Sequence, residues 1–273
     1  SEFTGKRLYQ ILDLCLGCKG CKVECPSGVD MAKLKHEFLA HYYRDNRMPL
    51  RNRFFGHIGI VNYLGCLLAP LSNWIVQSVA GRWLMERVLS VDKRRSPPSF
   101  ARPTFSKLIT KRIGSTQRYR GKVVFFNDTF TEYNYPQAGI AAMRVLEAAG
   151  FQVIIPKRRC CGRPMISQGM MRSAVSSAKY NVRALHTYAK QGIPVVGLEP
   201  SCVLMLREEY PDLLKTDEAR QVAENSYTFD EFLKGVADRG DLELHFKDVA
   251  RKVLFQGHCH QKAMTGTSSS MWL

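Results

Sequence analysis

The sequence predicts an α/β protein whose N-terminal part is α-helical and whose C-terminal part contains a mostly parallel sheet. Four cysteines lie within eleven residues, from Cys15 to Cys25, between two helical patterns. From Gly121 onward, short apolar runs alternate with helical stretches of ten or more residues, which indicates a parallel sheet. We therefore expect a cysteine-containing helical segment over residues 1–48, an apolar and basic helical connector over 49–120, and an α/β domain over 121–273.

The composition argues against disorder and favours a reducing compartment. The chain has 273 residues, of which 45% are hydrophobic, enough for a real core and for more than one domain. It contains nine cysteines, and no N-terminal signal peptide is visible. Thiols in a reducing compartment serve metals more often than disulfides. We therefore expect a cytoplasmic protein, free or peripheral on the inner membrane.

The first element to justify is the run from Cys15 to Pro26. Its thiols, Cys15, Cys18, Cys21 and Cys25, have the C-x2-C-x2-C-x3-C-P spacing with which bacterial ferredoxins bind a [4Fe–4S] cluster. Glycines inside the loop permit the backbone angles that wrapping around a cluster requires. Structural zinc sites usually show two C-x2-C pairs separated by a longer spacer. The spacing therefore predicts a [4Fe–4S] cluster in a ferredoxin-like segment.

The role of Cys25 stays open on the sequence. In two-cluster ferredoxins the fourth cysteine of such a run binds the other cluster. The sequence contains no second copy of the motif. Either one cluster uses all four thiolates, or a companion motif has been lost upstream.

The elements that follow the loop are predicted to be helical. Asp30 is a candidate N-cap for a helix over Met31–Tyr43, and residues 50–92 continue the helical pattern. The charge-free stretch Ile58–Ala80 is long enough to span a bilayer. Its polar interruptions and Pro70 instead favour a buried helical hairpin or an interfacial segment. Cys66, inside this stretch, is predicted to be a core residue.

The net charge of +16 is concentrated around the same stretch. Between Arg44 and Lys122 there are sixteen Lys and Arg residues and three acidic residues. A basic flank beside apolar surface suits anionic lipid or an acidic protein partner, although an ordinary solvated basic face has the same composition. A nucleic-acid partner is not expected, because the stretch has neither a recognition fold nor interleaved base-stacking aromatics.

The α/β pattern begins after a linker marked by Ser96–Ser99 and Pro103. The predicted strands are 122–126, 151–155 and 193–198, and the predicted helices are 136–150, 168–190 and 202–214. Residues 122–129 also align with residues 252–259. This partial repeat predicts the opening strand of a second, truncated unit.

A second group of candidate site residues lies at the ends of the predicted strands. It comprises Cys160, Cys161, Cys202, Cys259, His258, His260 and Asp128. Open α/β sheets place their sites at the carboxyl ends of strands, so these side chains are expected to converge. Adjacent cysteines rarely bridge each other, and four thiols with two imidazoles favour a metal or redox centre over core packing. Asp128 is a ligand, an acceptor for one of the histidines, or a helix N-cap.

Five motifs together carry a family resemblance. They are Cys15–Pro26, Asp128–Tyr133, Cys160–Pro164, Glu199–Cys202 and Gly257–Lys262. The Cys-Cys-Gly unit and its partial repeat resemble the cysteine-rich domain of heterodisulfide reductase and of the glycolate oxidase iron–sulfur subunit. The combination is similar to the C-terminal iron–sulfur part of FAD-linked oxidases of the D-lactate dehydrogenase type.

This resemblance implies an oxidoreductase in which a flavin domain oxidises a 2-hydroxy acid and iron–sulfur centres pass the electrons to a quinone or carrier. The implied cofactors are a [4Fe–4S] cluster, a second metal or iron–sulfur site, and FAD in a missing upstream domain or partner subunit. The chain departs from the family at Thr129, where a cysteine often ends the first strand, and at Cys202, which lacks the partner of the usual C-x-x-C. These departures favour a simpler mononuclear or partial site over a full noncubane cluster.

Two other functions stay open on the sequence. One is a thiol–disulfide redox module like heterodisulfide reductase, centred on the second group of cysteines. The other is a zinc-stabilised interaction module without a redox role. The sequence identifies no catalytic residue, and we expect this fragment alone to be inactive because the missing flavin part would bind the substrate.

Overall fold

The N-terminal segment consists of three helices around the cysteine loop in the computed structural model, which describes residues 5–110, 119–242, 244 and 252–273. The helices are α1 (Lys6–Asp13), α2 (Gly20–Glu24) and α3 (Met31–Asp45). The predicted cap is present, since Oδ1 of Asp30 accepts a hydrogen bond from the backbone N–H of Lys33 at 3.0 Å. Gly17 and Lys19 have left-handed φ angles of 67° and 61°. The chain therefore turns sharply on both sides of Cys18.

Five helices form the described part of the connector, residues 49–110 and 119–120. They are α4 (Leu50–Gly56), α5 (Ile58–Leu67), α6 (Leu71–Gln77), α7 (Val79–Leu89) and α8 (Phe105–Ile109). Among the described residues, none of the helices is by itself long and apolar enough to cross a membrane; α5 and α6 meet that test only as a pair bent by 119°. Cys66 is buried as predicted, and its thiol donates a hydrogen bond to the carbonyl oxygen of Tyr133 at 3.2 Å. The hairpin itself is not buried, because its apolar side chains include Trp74, which is 70% exposed.

The rest of the chain confirms the predicted α/β class. The strands are β1 (Gly121–Phe125), β2 (Phe151–Ile154), β3 (Val195–Gly197) and β4 (Ser226–Thr228). They form a parallel sheet in the order β2-β1-β3-β4, with Val123 beside Val153 and Val124 beside Val195. The helices are α9 (Thr129–Tyr133), α10 (Pro136–Ala148), α11 (Arg163–Ser167), α12 (Met171–Ala189), α13 (Pro200–Leu204), α14 (Tyr210–Leu214), α15 (Asp217–Glu224), α16 (Phe229–Asp238), α17 (Cys259–Met264) and α18 (Ser268–Trp272).

Helices cover both faces of this sheet. On β1, Val124 packs against one buried cluster, to which α12 and α15 contribute. Its neighbour Val123 packs against a second cluster, to which α10 and α16 contribute. Successive side chains of a strand point to opposite faces, so a strand between two helical layers is apolar throughout. This explains the continuous apolar run at 122–126.

Two sequence predictions are wrong in this domain. The predicted helix over 202–214 is interrupted by a π-helical turn over Met205–Glu209, which lies between α13 and α14. The predicted repeat strand is absent: residues 252–257 form no strand, and Leu254 is 99% exposed. A strand needs a neighbour to pair its backbone groups, and this segment pairs with neither β2 nor β4, the two edge strands.

Candidate functional site

The four cysteines of the N-terminal motif surround α2 and the loop before it. All four are free and half-buried. The backbone N–H of Met31 donates to Sγ of Cys21 at 3.4 Å. Backbone N–H groups of Val29 and Ser27 hydrogen-bond to Cys25 and lower the pKa of its thiol. Donors directed at sulfur stabilise the thiolate, the form that binds iron.

Side chains from other elements hold this loop in place. Nζ of Lys35 donates to the carbonyl oxygen of Cys15 at 2.9 Å. Nη2 of Arg163, which begins α11, donates to the carbonyl oxygen of Gly17 at 2.6 Å. Because Arg163 follows the Cys-Cys-Gly motif directly, the two cysteine motifs are joined through one side chain.

A buried cation inside the loop contacts the α/β domain. The side chain of Lys19 is fully buried and pairs with Asp30 at 3.4 Å and with Glu209 of the π-helical turn. Next to it, Lys22 pairs with Glu208 at 2.7 Å. The loop is therefore fixed against the α/β domain by opposite charges from residues nearly two hundred positions away.

The residues around the loop fit an anionic iron–sulfur cluster. Nη1 of Arg163 and both ring nitrogens of His260 are buried and have no hydrogen-bond partner among the described residues. Arg163 and Lys19 supply positive charge, Arg163 and His260 supply unused N–H groups, and a cluster of thiolates and sulfides supplies acceptors. The four thiols would hold its irons. The cluster would supply one-electron redox chemistry.

A single-ion site is not formed by the described residues. No group of three or more His, Cys, Asp or Glu side chains among them is arranged to hold one metal ion. A single zinc ion needs its sulfur ligands at about 2.3 Å from one point. A four-iron cluster binds each thiolate on a different iron, so its ligands need not meet at one point.

The second group of cysteines is partly brought together. Cys161, in the loop before α11, donates from Sγ to Sγ of Cys202 in α13 at 3.1 Å, and both residues are buried. The thiol of Cys160 acts as a hydrogen-bond donor toward Cys161, and this interaction and burial together raise the pKa of Cys160. The hydrogen bond with Cys161 favours the thiolate of Cys202, but burial and nearby negative charge outweigh it and raise the pKa of Cys202 to about 11.

The other predicted members of this group lie around it. Asp128 is the N-cap of α9, because Oδ1 accepts hydrogen bonds from the backbone N–H groups of Phe130 and Thr131. His258 lies at the rim, with Nε2 3.8 Å from Oε1 of Glu199. Cys259, which begins α17, is exposed and not buried with Cys161 and Cys202.

His260 faces the loop of the N-terminal cysteine motif, Cys15 to Cys25, called the cluster loop below. Helix α17 packs against α2 as well as against α13. Burial, followed by the charges of Arg163 and Lys19, lowers the pKa of His260 to about 3. This histidine is therefore neutral at physiological pH and lies between the two cysteine motifs.

A cavity of about 490 Å³ adjoins the second group of cysteines. Its wall includes Cys160, Thr129, Tyr133, Arg158, Arg159 and His57. Cys160 therefore faces open space while Cys161 and Cys202 lie behind it. Helix α5 closes one side of this cavity, where Gly59 lies close to Cys160. A Cβ added to Gly59 would lie 3.4 Å from Cβ of Cys160.

Sequence reasoning did not assign four residues that support these sites. They are Lys19, Arg163, Glu209 and Tyr210. The hydroxyl of Tyr210 donates to the carbonyl oxygen of Cys161 at 2.9 Å and accepts from Nδ2 of Asn181 at 2.8 Å. Two of the four had a signal in the sequence, because Lys19 lies within the first cysteine motif and Arg163 directly follows the second.

Comparison with known proteins supports the resemblance of the motifs. The chain is 30% identical to one subunit of the anaerobic glycerol-3-phosphate dehydrogenase of Escherichia coli (strain K12), over 89% of this chain and 61% of that protein. It is 28% identical to D-2-hydroxyglutarate dehydrogenase of Pseudomonas putida, over 77% of this chain and 22% of that protein. It is 25% identical to a probable glycolate oxidase iron-sulfur subunit of Bacillus subtilis (strain 168), over 94% of this chain and 61% of that protein. No solved structure matches the chain.

The chain thus spans about three fifths of the two subunits and about a fifth of the D-2-hydroxyglutarate dehydrogenase. Residues 123–207 match the family described as the CCG cysteine-rich domain. This region includes most of β1, all of β2 and β3, and three of the cysteines discussed above, Cys160, Cys161 and Cys202. The resemblance inferred from the Cys-Cys-Gly motif is confirmed, and residues 123–207 belong to the CCG cysteine-rich domain family.

Proposed function

We propose that this chain is the iron–sulfur electron-transfer part of an FAD-linked 2-hydroxy-acid dehydrogenase, of the type that oxidises D-lactate or glycolate. Flavin on another domain or subunit would take two electrons from the substrate. Cys15, Cys18, Cys21 and Cys25 would bind a [4Fe–4S] cluster that carries these electrons one at a time toward a quinone or a carrier. FAD and the substrate would bind outside the described residues.

The observation that carries the proposal is the position of the cysteine loop on the CCG domain. Lys19, whose charge is paired with Asp30 and Glu209, and the partly buried Arg163 bring two cations to this loop, and Arg163 extends from the Cys-Cys-Gly motif. Positive charge fixed beside a cluster, here that of Arg163, favours the more negative, reduced state of the cluster. The loop is therefore suited to accepting an electron close to the second group of thiols.

Iron and sulfide analysis with EPR on anaerobically purified protein tests the proposal. We expect about four irons per chain and a visible absorption that bleaches with dithionite. Cys18→Ser should abolish or distort the EPR signal. The matched control is Cys66→Ser, which changes a buried thiol in the connector and should leave the signal unchanged. Colourless protein that holds stoichiometric zinc would instead support an interaction module and refute the redox function.

We further propose that the connector attaches the protein to an anionic membrane surface. The apolar face of α5–α7 exposes Leu64, Leu67, Leu68, Leu71, Trp74 and Trp83. Exposed basic residues, including Arg87, Lys93 and Arg95, follow within or directly after α7. Apolar side chains beside basic ones suit the interface of an anionic bilayer.

Co-sedimentation with phosphatidylserine vesicles tests this attachment. We expect Trp74→Glu to weaken binding, while Trp272→Glu, an exposed tryptophan in α18, should not. Raised salt should weaken the electrostatic part. Equal sedimentation with neutral and anionic vesicles would contradict the preference for an anionic surface. No sedimentation with either would contradict the lipid attachment and leave the flavin-containing partner as the occupant of this face.

A further inference from the structure

Cys161 and Cys202 are arranged for a reaction with each other. Their sulfur atoms are 3.1 Å apart, whereas a disulfide bond is about 2.05 Å long. Closing this gap needs a movement of about 1 Å, within the reach of side-chain rotation. The two cysteines come from different elements, the loop before α11 and the helix α13. Their bond therefore avoids the strain that disfavours a bridge between the adjacent Cys160 and Cys161.

The environment of the pair supports a dithiol when the site is reduced. Grouped thiolates would repel one another unless a cation neutralised them. Burial raises the pKa of Cys202 to about 11, and the hydrogen bond to Cys202 together with burial raises the pKa of Cys161, so both thiols stay protonated. Among the described residues, no third ligand joins the pair to form a single-ion site.

We propose that Cys161 and Cys202 form a reversible disulfide, so that the CCG domain carries a two-electron dithiol centre beside the one-electron cluster. This inference deepens the proposed electron-transfer function and rests on it. Two successive electrons from the reduced cluster, with two protons from solvent, convert the disulfide into two thiols. The dithiol returns two electrons and two protons to the quinone that accepts electrons in the proposed function, and the disulfide forms again.

The structure provides a route between the two centres. From Cys161 the chain runs through Gly162 to Arg163, whose Nη2 donates to the carbonyl oxygen of Gly17 at 2.6 Å. Gly17 precedes Cys18 directly. One hydrogen bond therefore completes an otherwise covalent path between a thiol of the pair and a thiol of the cluster loop. On the other side, Cys160 connects the pair to the cavity of about 490 Å³.

Peptide mapping after differential alkylation tests the proposal. The full chain is equilibrated anaerobically in dithiothreitol buffers of increasing oxidised fraction, alkylated, digested with trypsin and analysed by mass spectrometry. We expect a cross-linked pair of peptides that contain Cys161 and Cys202, with two free thiols lost per chain as the buffer becomes oxidising. One tryptic peptide holds both Cys160 and Cys161, so variants must identify the partner.

Three variants make the assignment. Cys161→Ser and Cys202→Ser should each abolish the cross-link. Cys160→Ser, the matched control one residue away, should retain it. Free thiols at Cys161 and Cys202 in every buffer would overturn the proposal, as would a cross-link lost only in Cys160→Ser. It would also be overturned by a metal ion that survives the loss of the four N-terminal cysteines and disappears in Cys202→Ser.

A failure of the disulfide proposal can be distinguished from a failure of the proposed electron-transfer function. If the cluster never forms, iron and EPR signals are missing from the wild type, whereas the cross-link can still be measured. If only the disulfide proposal is wrong, the wild type loses no thiols in oxidising buffer, keeps one more free thiol than Cys202→Ser, and shows the same cluster signal as that variant. The thiol count therefore tests the pair independently of cluster activity.

Discussion

Replacement of Lys19 tests how the cluster loop is attached to the α/β domain. Its side chain is fully buried between Asp30 and Glu209, whose side chains are also almost completely buried. Lys19→Met keeps most of the side-chain volume and removes the charge. Two carboxylates then remain in a poorly solvated site without their cation.

The expected loss follows from this burial. Removing one partner of a buried ion pair costs about 3–5 kcal/mol, because the remaining charge is left without compensation. In a chain of this size, about 1 kcal/mol corresponds to a change of about 2–4 °C in the melting temperature. We therefore expect Lys19→Met to unfold roughly 6–20 °C below the wild type.

The matched control is Lys22→Met. Lys22 pairs with Glu208 in the same interface, but both side chains of that pair are partly exposed. Exposed pairs contribute about 0–1 kcal/mol. A second variant, Lys19→Met with Glu209→Gln, removes one of the two stranded charges and should recover part of the stability. Thermal unfolding of anaerobic protein, followed by circular dichroism, measures all three variants.

Equal effects at the two lysines would refute this reasoning. If Lys19→Met unfolds within about 2 °C of the wild type, the buried pair is not what holds the loop. The same conclusion follows if Lys19→Met with Glu209→Gln is less stable than Lys19→Met alone. Neutralising Glu209, which has lost its cation in Lys19→Met, should raise the stability.

Three further outcomes are expected. Burial, followed by the charges of Arg163 and Lys19, lowers the pKa of His36 to about 3, so its stabilising contribution is present above pH 6.5 and is lost as the pH falls toward 3. Between pH 6.5 and pH 5, the free energy of unfolding measured in urea should fall by about 2 kcal/mol less in His36→Gln than in the wild type. Tyr210→Phe leaves buried hydrogen-bonding groups without their hydroxyl and should lower the free energy of unfolding in urea by about 1–3 kcal/mol. The control Tyr135→Phe changes an exposed side chain and should leave this free energy unchanged. Gly17→Ala should lower the iron content, since its Cβ would lie 2.8 Å from the guanidinium of Arg163. The matched control is Gly28→Ala, which should retain iron because Gly28 has a similar φ of 62° but open space around it. Equal iron losses would show backbone strain and not the contact to be responsible.

The local features of this protein could be predicted because near neighbours determine them. The spacing from Cys15 to Cys25 is a property of eleven consecutive residues, and the cap at Asp30 needs only the N–H three residues later. The parallel sheet followed from apolar runs alternating with helices, since each run must be buried on both faces. Strand β4 was missed because Ser226, Tyr227 and Thr228 lack the apolar run that marked β3, although both strands have three residues.

The repeat strand at 252–255 shows where local pattern fails. Its residues have strand composition, but a strand forms only beside a partner, and the segment pairs with neither edge of the sheet. Similarly, the polar interruptions in the connector indicated a bent hairpin but could not show which of its apolar side chains are covered. Exposure of Trp74 depends on which elements pack nearby, and the pattern of one helix contains no such information.

The sequence by itself determined the α/β class and the cysteine loop, because spacing and periodicity are short-range properties. Its Cys-Cys-Gly motif also carried the resemblance to the CCG cysteine-rich domain family. Only the tertiary structure decided which side chains meet. It placed Cys161 beside Cys202 and left Cys259 exposed, and it brought Glu209 to Lys19 across 190 positions of the chain. Contacts at such separations depend on how parallel strands and their helices stack, and a buried charge meets its partner only where that stacking brings the two together.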